Sequence, residues 1–337
     1  MRMSSQLLLP QPLFSQPQEL PPNRIKRIMI HHQLSPKLEL HIPLHIGMPP
    51  EKLLEAAVAA AQDIIRSGAK FGERRAHGLF FPGGLWYHSG MDSIKFSAAV
   101  SRALLRKPGG IGMLGEKSLH SALKYYYEPD ESKHEVAFEG FFADIMNEDG
   151  ITEIQTKSLF SLNKKLEVFL EKCPVTVVHP IVGERRLIYM DTETGELKKP
   201  RLSPKRGRAE DAFGELIHIR RFLSHPGLMV VVPVVDADEY RYKTGEKKRR
   251  RAPNVVKYEL VPRELKEEWV FAEKADWLRF VPPALLERPE GFTVKECAAA
   301  LKRPEHETRL IVSCALAAGA LTRERIGRSF VYKREEL

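Results

Sequence analysis

Apolar positions recur along this chain at two periods, and the switches between them outline its elements. After Pro50, residues Leu53, Leu54, Ala57, Val58, Ala61, Ile64 and Ile65 follow helical spacing, and Gly68 supplies a stop. A second helix is expected near Ile94 to Arg106. A third runs from Glu116 to Tyr127, with Leu119, Leu123 and Tyr126 on one stripe and Glu116 joining it at the N-terminal end. The period then shortens to two. His134 to Glu139 reads as a strand, and Phe141 to Lys157 (F-F-A-D-I-M-N-E-D-G-I-T-E-I-Q-T-K) reads as a hairpin about an Asn-Glu-Asp-Gly turn. Next comes a helix whose apolar face is Leu159, Leu162, Leu166, Phe169 and Leu170. A buried strand, Pro174 to Ile181, follows it. From Glu116 the order is helix, three strands, helix, strand.

Beyond this the pattern predicts a hairpin (Arg185 to Met190, then Glu196 to Lys199), a helical stretch over 208–223, and an apolar strand from Leu228 to Val235 interrupted by Pro233. From about Gly291 the chain has a separate signature. Thr293-Val-Lys-Glu296 is a capping box opening a helix. Pro304 to Ala318 is a second helix, with Leu310, Ile311, Cys314 and Leu316 in its apolar set. Leu321 to Glu324 and Ser329 to Lys333 then flank an Ile-Gly-Arg turn. Two helices and a basic hairpin outline a winged helix. The expected organisation is three-part: an arm and helical extension over 1–112, an α/β domain over 113–265, and a winged-helix domain over 266–337. Recognisable architecture starts at Met113. The preceding residues read as a dispensable addition, or Met113 as the natural start.

Composition narrows the class. The chain has 337 residues, 43% of them hydrophobic, enough for about two domains and a sizeable core. There is no run of 18 apolar residues to span a membrane. Leu7-Leu8-Leu9 is cut by Pro10 and Pro12, too short an apolar core for a signal peptide. Prolines 10, 12, 17, 21, 22, 36, 43, 49 and 50 predict an extended, poorly ordered N-terminal arm. Cys173, Cys297 and Cys314 have neither zinc spacing nor an even count, so a reducing cytoplasm is expected. The net charge of +9 and a pI of about 9.3 favour a polyanionic partner, DNA above all. A homodimer stays open.

The hairpin carries the candidate chemistry. If Met146 pairs with Ile151, Asp144 falls opposite Glu153; a shorter loop would set it opposite Gln155. Either register puts Asp144, Glu153 and Gln155 on one face, with Phe142 and Met146 beside Asp144. Like charges directly opposite on a sheet repel, and burial increases the cost. A divalent cation, Mg²⁺ or Mn²⁺, would offset it. Magnesium takes one or two carboxylates plus waters and substrate oxygens, and metal-assisted phosphodiester cleavage uses such a site. Glu116 would add a third carboxylate, and the carbonyl of Ile154 a further oxygen.

Met113 to Ile181 resembles the PD-(D/E)XK nuclease superfamily, in the style of the Holliday-junction resolvases and small restriction nucleases. The resemblance implies an α/β fold with a restriction-endonuclease-like αβββαβ core, a mixed sheet flanked by helices. It matches Asp144 to the acid closing the second strand, Glu153 to the acid of the third, and Glu116 to a helical acid. It implies a metal held by Glu116, Asp144 and Glu153. Ala143 replaces the usual proline, and Gln155 stands at the lysine position. Gln155 would then orient water or substrate. The missing cation would come from Lys157 on the same strand, or from Lys164 or Lys165 on the next helix. The glutamine also leaves room for a nuclease fold without catalysis that regulates by binding DNA, and a pure protein-interaction module is a third reading.

For nucleic acid, the second C-terminal helix would offer Glu305, His306, Thr308 and Arg309 to a groove. The wing would offer Arg323, Arg325, Arg328 and Lys333 to phosphates. The basic run over 241–251, with Lys247, Lys248, Arg249, Arg250 and Arg251 at its core, would grip backbone phosphates. Gly110 to Ser118 resembles a P-loop, but Glu116 stands between glycine and lysine and no strand precedes it, so no nucleotide cofactor is expected. His179, on an apolar strand, reads as a core histidine.

Overall fold

A computed structural model describes residues 33–35, 38–39, 90–105, 118–190, 197–243 and 255–335. The helix expected over 51–66, Glu116, and the cluster Lys247 to Arg251 lie outside the described residues. The chain divides into two units, Met1–Arg75 and Ala76–Leu337. In the first, Gln33–Ser35 and Leu38–Glu39 form a short antiparallel pair.

The second unit is a mixed sheet with helices on both faces. Helix α1 (Gly90–Leu105) and helix α2 (Ser118–Tyr127) cover one face. They bury Phe96, Leu119 and Leu123 against Ile145, Ile154, Val178 and Val231 of the sheet. Strand β1 (His134–Phe138) pairs antiparallel with β2 (Phe141–Asn147), and β2 with β3 (Gly150–Ile154). The β2–β3 register is Ile145–Thr152, Met146–Ile151 and Asn147–Gly150. Met146 meets Ile151, the first of the two expected registers, but the loop is only Glu148–Asp149, because Asn147 and Gly150 themselves pair rather than belonging to a four-residue loop. Gly150 has φ +119°, and a Cβ there would lie 2.3 Å from the carbonyl oxygen of Pro174. No other residue fits that turn without moving the strand start behind it.

A single 3₁₀ turn (Leu159–Leu162) leads into α3 (Asn163–Phe169). Seven residues are too few for a helix that stands alone. Leu159, Leu166 and Phe169 are fully buried, each burial supplying about 1.5–3 kcal/mol. This anchoring fixes Lys165, which precedes Leu166. The chain crosses back as β4 (Val175–Val178), parallel to β3. The expected order of helix, three strands, helix and strand is present over 118–178.

Strand β5 (Ile181–Met190) continues β4. Both run parallel to β7 (Leu228–Lys243), and the pairs Val178–Val231 and Ile181–Val234 keep one stagger. His179 and Pro180 thus fall alongside Val232 and Pro233. Two prolines at one level remove two ladder donors, which explains the break between β4 and β5. A two-residue strand, β6 (Arg201–Leu202), pairs with β5. Short helix α4 (Phe213–Leu216), flanked by 3₁₀ turns, stands where 208–223 reads as helical.

Strand β8 (Val255–Phe271) pairs antiparallel along β7. It has no counterpart in the expected elements. Its run of Lys257, Glu259, Arg263, Glu264, Lys266, Glu267 and Glu268 hides the apolar alternation. The expected domain boundary at 265/266 falls inside this strand. Beyond it lie α5 (Pro283–Leu286), α6 (Val294–Leu301), α7 (Glu305–Ala317), β9 (Leu321–Ile326) and β10 (Ser329–Arg334). Strands β9 and β10 form an antiparallel hairpin, and Phe292 bridges Tyr332 beside it. Phe292, Cys297, Ile311 and Cys314 share one apolar cluster with Phe213, Phe271 and Leu166. The C-terminal helix α7 therefore joins this cluster through α4 and the 3₁₀ turns at 217–222 and 274–280.

Candidate active site at the fork of two strands

The β2–β3 ladder ends at Ile145–Thr152, which leaves Asp144 and Glu153 next in line, one on each strand. Here carboxylates replace main-chain partners. The amide of Ile154 donates to Asp144 Oδ2 at 2.7 Å, and the amide of Asp144 reaches Glu153 Oε1 at 3.4 Å. The strands part around two acids, each of which accepts from an amide of the opposite strand.

Two further side chains close on this pair. His120 of α2 lies with Nε2 3.2 Å from Asp144 Oδ2. Lys165 of α3 donates to Glu153 Oε2 at 2.8 Å, Oε1 at 3.1 Å and the carbonyl of Phe142 at 2.6 Å. Burial acts to raise the Asp144 carboxyl, but the hydrogen bond and charge of His120, the Ile154 amide and Lys165 outweigh it, and its pKa lies below the ordinary value. Glu153 is 1% exposed. Burial first, and the charge of Asp144 second, push its pKa up to about 7; Lys165 offsets only part of that. One acid is held ionised and its neighbour is poised near neutrality, a division common where carboxylates do chemistry.

The expected residues are distributed as follows. Asp144 and Glu153 meet. Gln155 lies one residue past the end of β3; its side chain donates to Ser161 Oγ at 2.8 Å and accepts from the Lys157 amide at 3.2 Å. Lys157 is exposed in the bend that follows, because β3 stops at Ile154, so it does not share the strand face on which it was expected. Lys165 takes the place at the acids. Phe142, expected in an apolar stripe with Asp144, is 62% exposed. His120 is the residue the sequence reading missed. It lies one helical turn after Glu116, and that spacing was the available signal.

His179 is buried, with Nδ1 2.6 Å from the carbonyl of Gln155; burial lowers its pKa, so the ring is neutral and Nδ1 carries the donated proton. Its edge lines a cleft of about 360 Å³ whose other walls include Thr156, Lys157, Arg185, Lys257 and Glu259. Among the described residues no group of three or more His, Cys, Asp or Glu side chains is arranged to hold a metal. No helix among them is long and apolar enough to cross a membrane.

In the C-terminal region Arg309, Arg323, Arg325 and Arg328 are exposed and Lys333 is half-buried. Arg323 stacks on Phe330 at 4.5 Å. Thr308, expected to face a groove, is fully buried, and its hydroxyl donates to the carbonyl of Pro304. A helix starting at Pro304 turns that position inward.

Residues 117–272 match the family described as "Domain of unknown function (DUF8091)". The match opens at α2 and closes at the end of β8, so it contains His120, Asp144, Glu153 and Lys165 and stops before the C-terminal helices. The chain is similar to an "Uncharacterized protein" of Treponema pallidum (strain Nichols), 29% identical over 229 residues, covering 65% of this chain and 86% of the relative. No solved structure matches significantly.

Proposed function

We propose that this protein is a metal-dependent deoxyribonuclease, hydrolysing phosphodiester bonds at the fork of β2 and β3. The observation that carries the reading is the pair of facing acids, Asp144 and Glu153, served by His120 from one helix and Lys165 from the other. The order of elements around the fork supports it, as does the mixed sheet with helices on both faces. It is the order and placement that the PD-(D/E)XK resemblance implies.

The donor set fits a hard divalent cation. Two carboxylates repel at close range, and one is driven toward neutrality by burial first and by the charge of its neighbour second. Asp144 and Glu153 would hold Mg²⁺ or Mn²⁺, with Glu116 as the expected third donor. When bound, such an ion activates water and offsets phosphate charge. Asp144 is fixed for that role by His120 and the Ile154 amide. Lys165 replaces Lys157 as the cation that stabilises charge developing on the phosphate. Gln155 braces the turn that leads to α3. Helices α6 and α7 with the β9–β10 hairpin would act as a winged helix, placing Arg309, Arg323, Arg325, Arg328 and Lys333 on the DNA backbone. The run Lys247 to Arg251 would add phosphate contacts.

The test is incubation of plasmid, linear and branched DNA with Mg²⁺ or Mn²⁺, alongside Asp144→Ala and Lys165→Ala. Metal-dependent cleavage lost in both variants is expected; cleavage untouched by Asp144→Ala refutes the assignment. A second reading, a DNA-binding regulator without catalysis, is favoured by one observation: both oxygens of Glu153 are already tied to Lys165. Its mark would be DNA binding without cutting, indifferent to Mg²⁺.

A further inference from the structure

Phe160 and Phe142 are the two most exposed large apolar side chains among the described residues, at 69% and 62%. A scattered surface ring means little by itself. Phe142 is tied to the acid site through its backbone, and Phe160 adjoins a residue whose side chain is held by Gln155. The Lys165 ammonium that binds Glu153 also takes the Phe142 carbonyl. The Phe160 carbonyl is held by Asn163 Nδ2 at 2.9 Å, and its neighbour Ser161 by Gln155, two residues from Glu153. The adjacent rings Phe138 and Phe141 instead turn inward onto Phe169, at 5.8 and 5.9 Å. The sequence thus spends two phenylalanines on the core and leaves two largely in water, Phe160 with an edge contact to His218 at 6.4 Å.

Exposed lysines stand on the same segments, Lys157 and Lys164, with Lys165 partly exposed and bound to Glu153; exposed acids there include Glu139 and Glu167. An apolar protein partner would want the rings without the cations. Bases stacked on rings, with phosphates against lysines, use both. Paired bases are closed to such rings, whereas every unpaired base has a free face.

We infer that Phe142 and Phe160 are stacking platforms for unpaired bases, and that the substrate class is single-stranded or strand-separated DNA. The inference rests on the nuclease reading above and narrows it.

The test uses the full chain, as wild type, Phe142→Ala, Phe160→Ala, the double alanine variant and the double leucine variant. Binding to a fluorescent oligothymidylate and to a blunt duplex is measured at one salt concentration, with cleavage of each. Each alanine is expected to weaken single-strand binding about 5- to 150-fold, with duplex binding nearly unchanged. The leucine variant keeps apolar surface but not a flat ring, so it should also lose single-strand affinity. Because both rings are exposed, melting temperatures should stay at the wild-type value. If wild type cuts duplex and single strand equally, with Asp144-dependent activity untouched in every ring variant, the stacking inference is overturned and the nuclease reading stands. If wild type neither binds nor cuts either form, the nuclease reading fails and this inference with it.

Discussion

The sheet buries acids in two places and treats them differently. On β7, Asp236, Asp238 and Glu239 are nearly inaccessible, and Asp238 and Glu239 each have two arginine partners. Arg186 clasps both oxygens of Asp238 at 2.6 Å, and Arg263 Nε lies 3.1 Å from one of them, off the line of a hydrogen bond. Glu239 pairs with Arg185 at 2.9 Å and with Arg241, and Asp236 takes the Glu184 amide with Lys266 nearby. At the β2–β3 fork, one lysine serves Glu153, and that acid is pushed to about 7. A carboxylate matched by guanidinium groups locks strands together. A carboxylate left short of charge is held in readiness for a cation from outside. Burial alone separates neither case; the arithmetic of partners does.

The largest effect expected from this contrast is on stability. Asp238→Ala leaves Arg186 and Arg263 without their shared partner and should cost about 3–5 kcal/mol in urea unfolding. Unchanged stability would break the claim that the β7 acids are structural. Asp144→Asn should do the reverse. It keeps an acceptor for the Ile154 amide, so stability should move by about 1 kcal/mol or less. Metal-dependent cleavage should fall at least a hundredfold, about 2.7 kcal/mol of barrier.

The pH dependence sharpens the comparison. The folded pKa of Glu153 lies above its ordinary 4.5, so the folded state binds this proton more tightly than the unfolded chain. The stability it brings is fully present below pH 4.5 and is lost as pH rises through about 7. Asp144 has the opposite sign, its share being lost as pH falls below 3.8. Glu153→Gln should therefore flatten the fall in unfolding free energy between pH 4.5 and 8, and gain about 2 kcal/mol at the upper end. A slope shared by wild type and variant would show that Glu153 is not under-compensated.

How much of this was legible follows the same contrast. The fork was readable because a short-range rule set it: alternation placed the acids on one face in either register, while the turn left open whether Glu153 or Gln155 stands opposite Asp144. Lys165 was within reach as a candidate because the helix after the hairpin had a clear apolar face. His120 hid in a helix read for its apolar stripe and for Glu116 alone. The β7 network was opaque. Its acids follow an apolar run and, apart from Arg241 on β7 itself, its arginines come from β5 and β8, so pairing across the sheet is needed to reveal the match. Strand β8 carries charges at both parities, and Pro233 stops the visible strand halfway along β7. Tertiary pairing overrides local pattern at these points.

The β9–β10 hairpin tests the contrast at its weakest end, where the arginines are exposed. Arg323, Arg325 and Arg328 stand in solvent on the β9–β10 hairpin. Replacing any one by alanine should move stability by less than about 0.5 kcal/mol. If these arginines lie on phosphates, each replacement should weaken binding to all DNA sequences alike and lower the slope of log affinity against log salt by about 1. The triple variant should add these losses, since the three act through separate phosphates. A salt slope unchanged in the triple variant would take the phosphate grip off the hairpin and assign it to the cleft, where Arg185 and Lys257 line the wall. The same measurement on Arg185→Ala and Lys257→Ala then separates a charge that holds the sheet, since Arg185 is bound to Glu239, from one that faces only solvent and ligand.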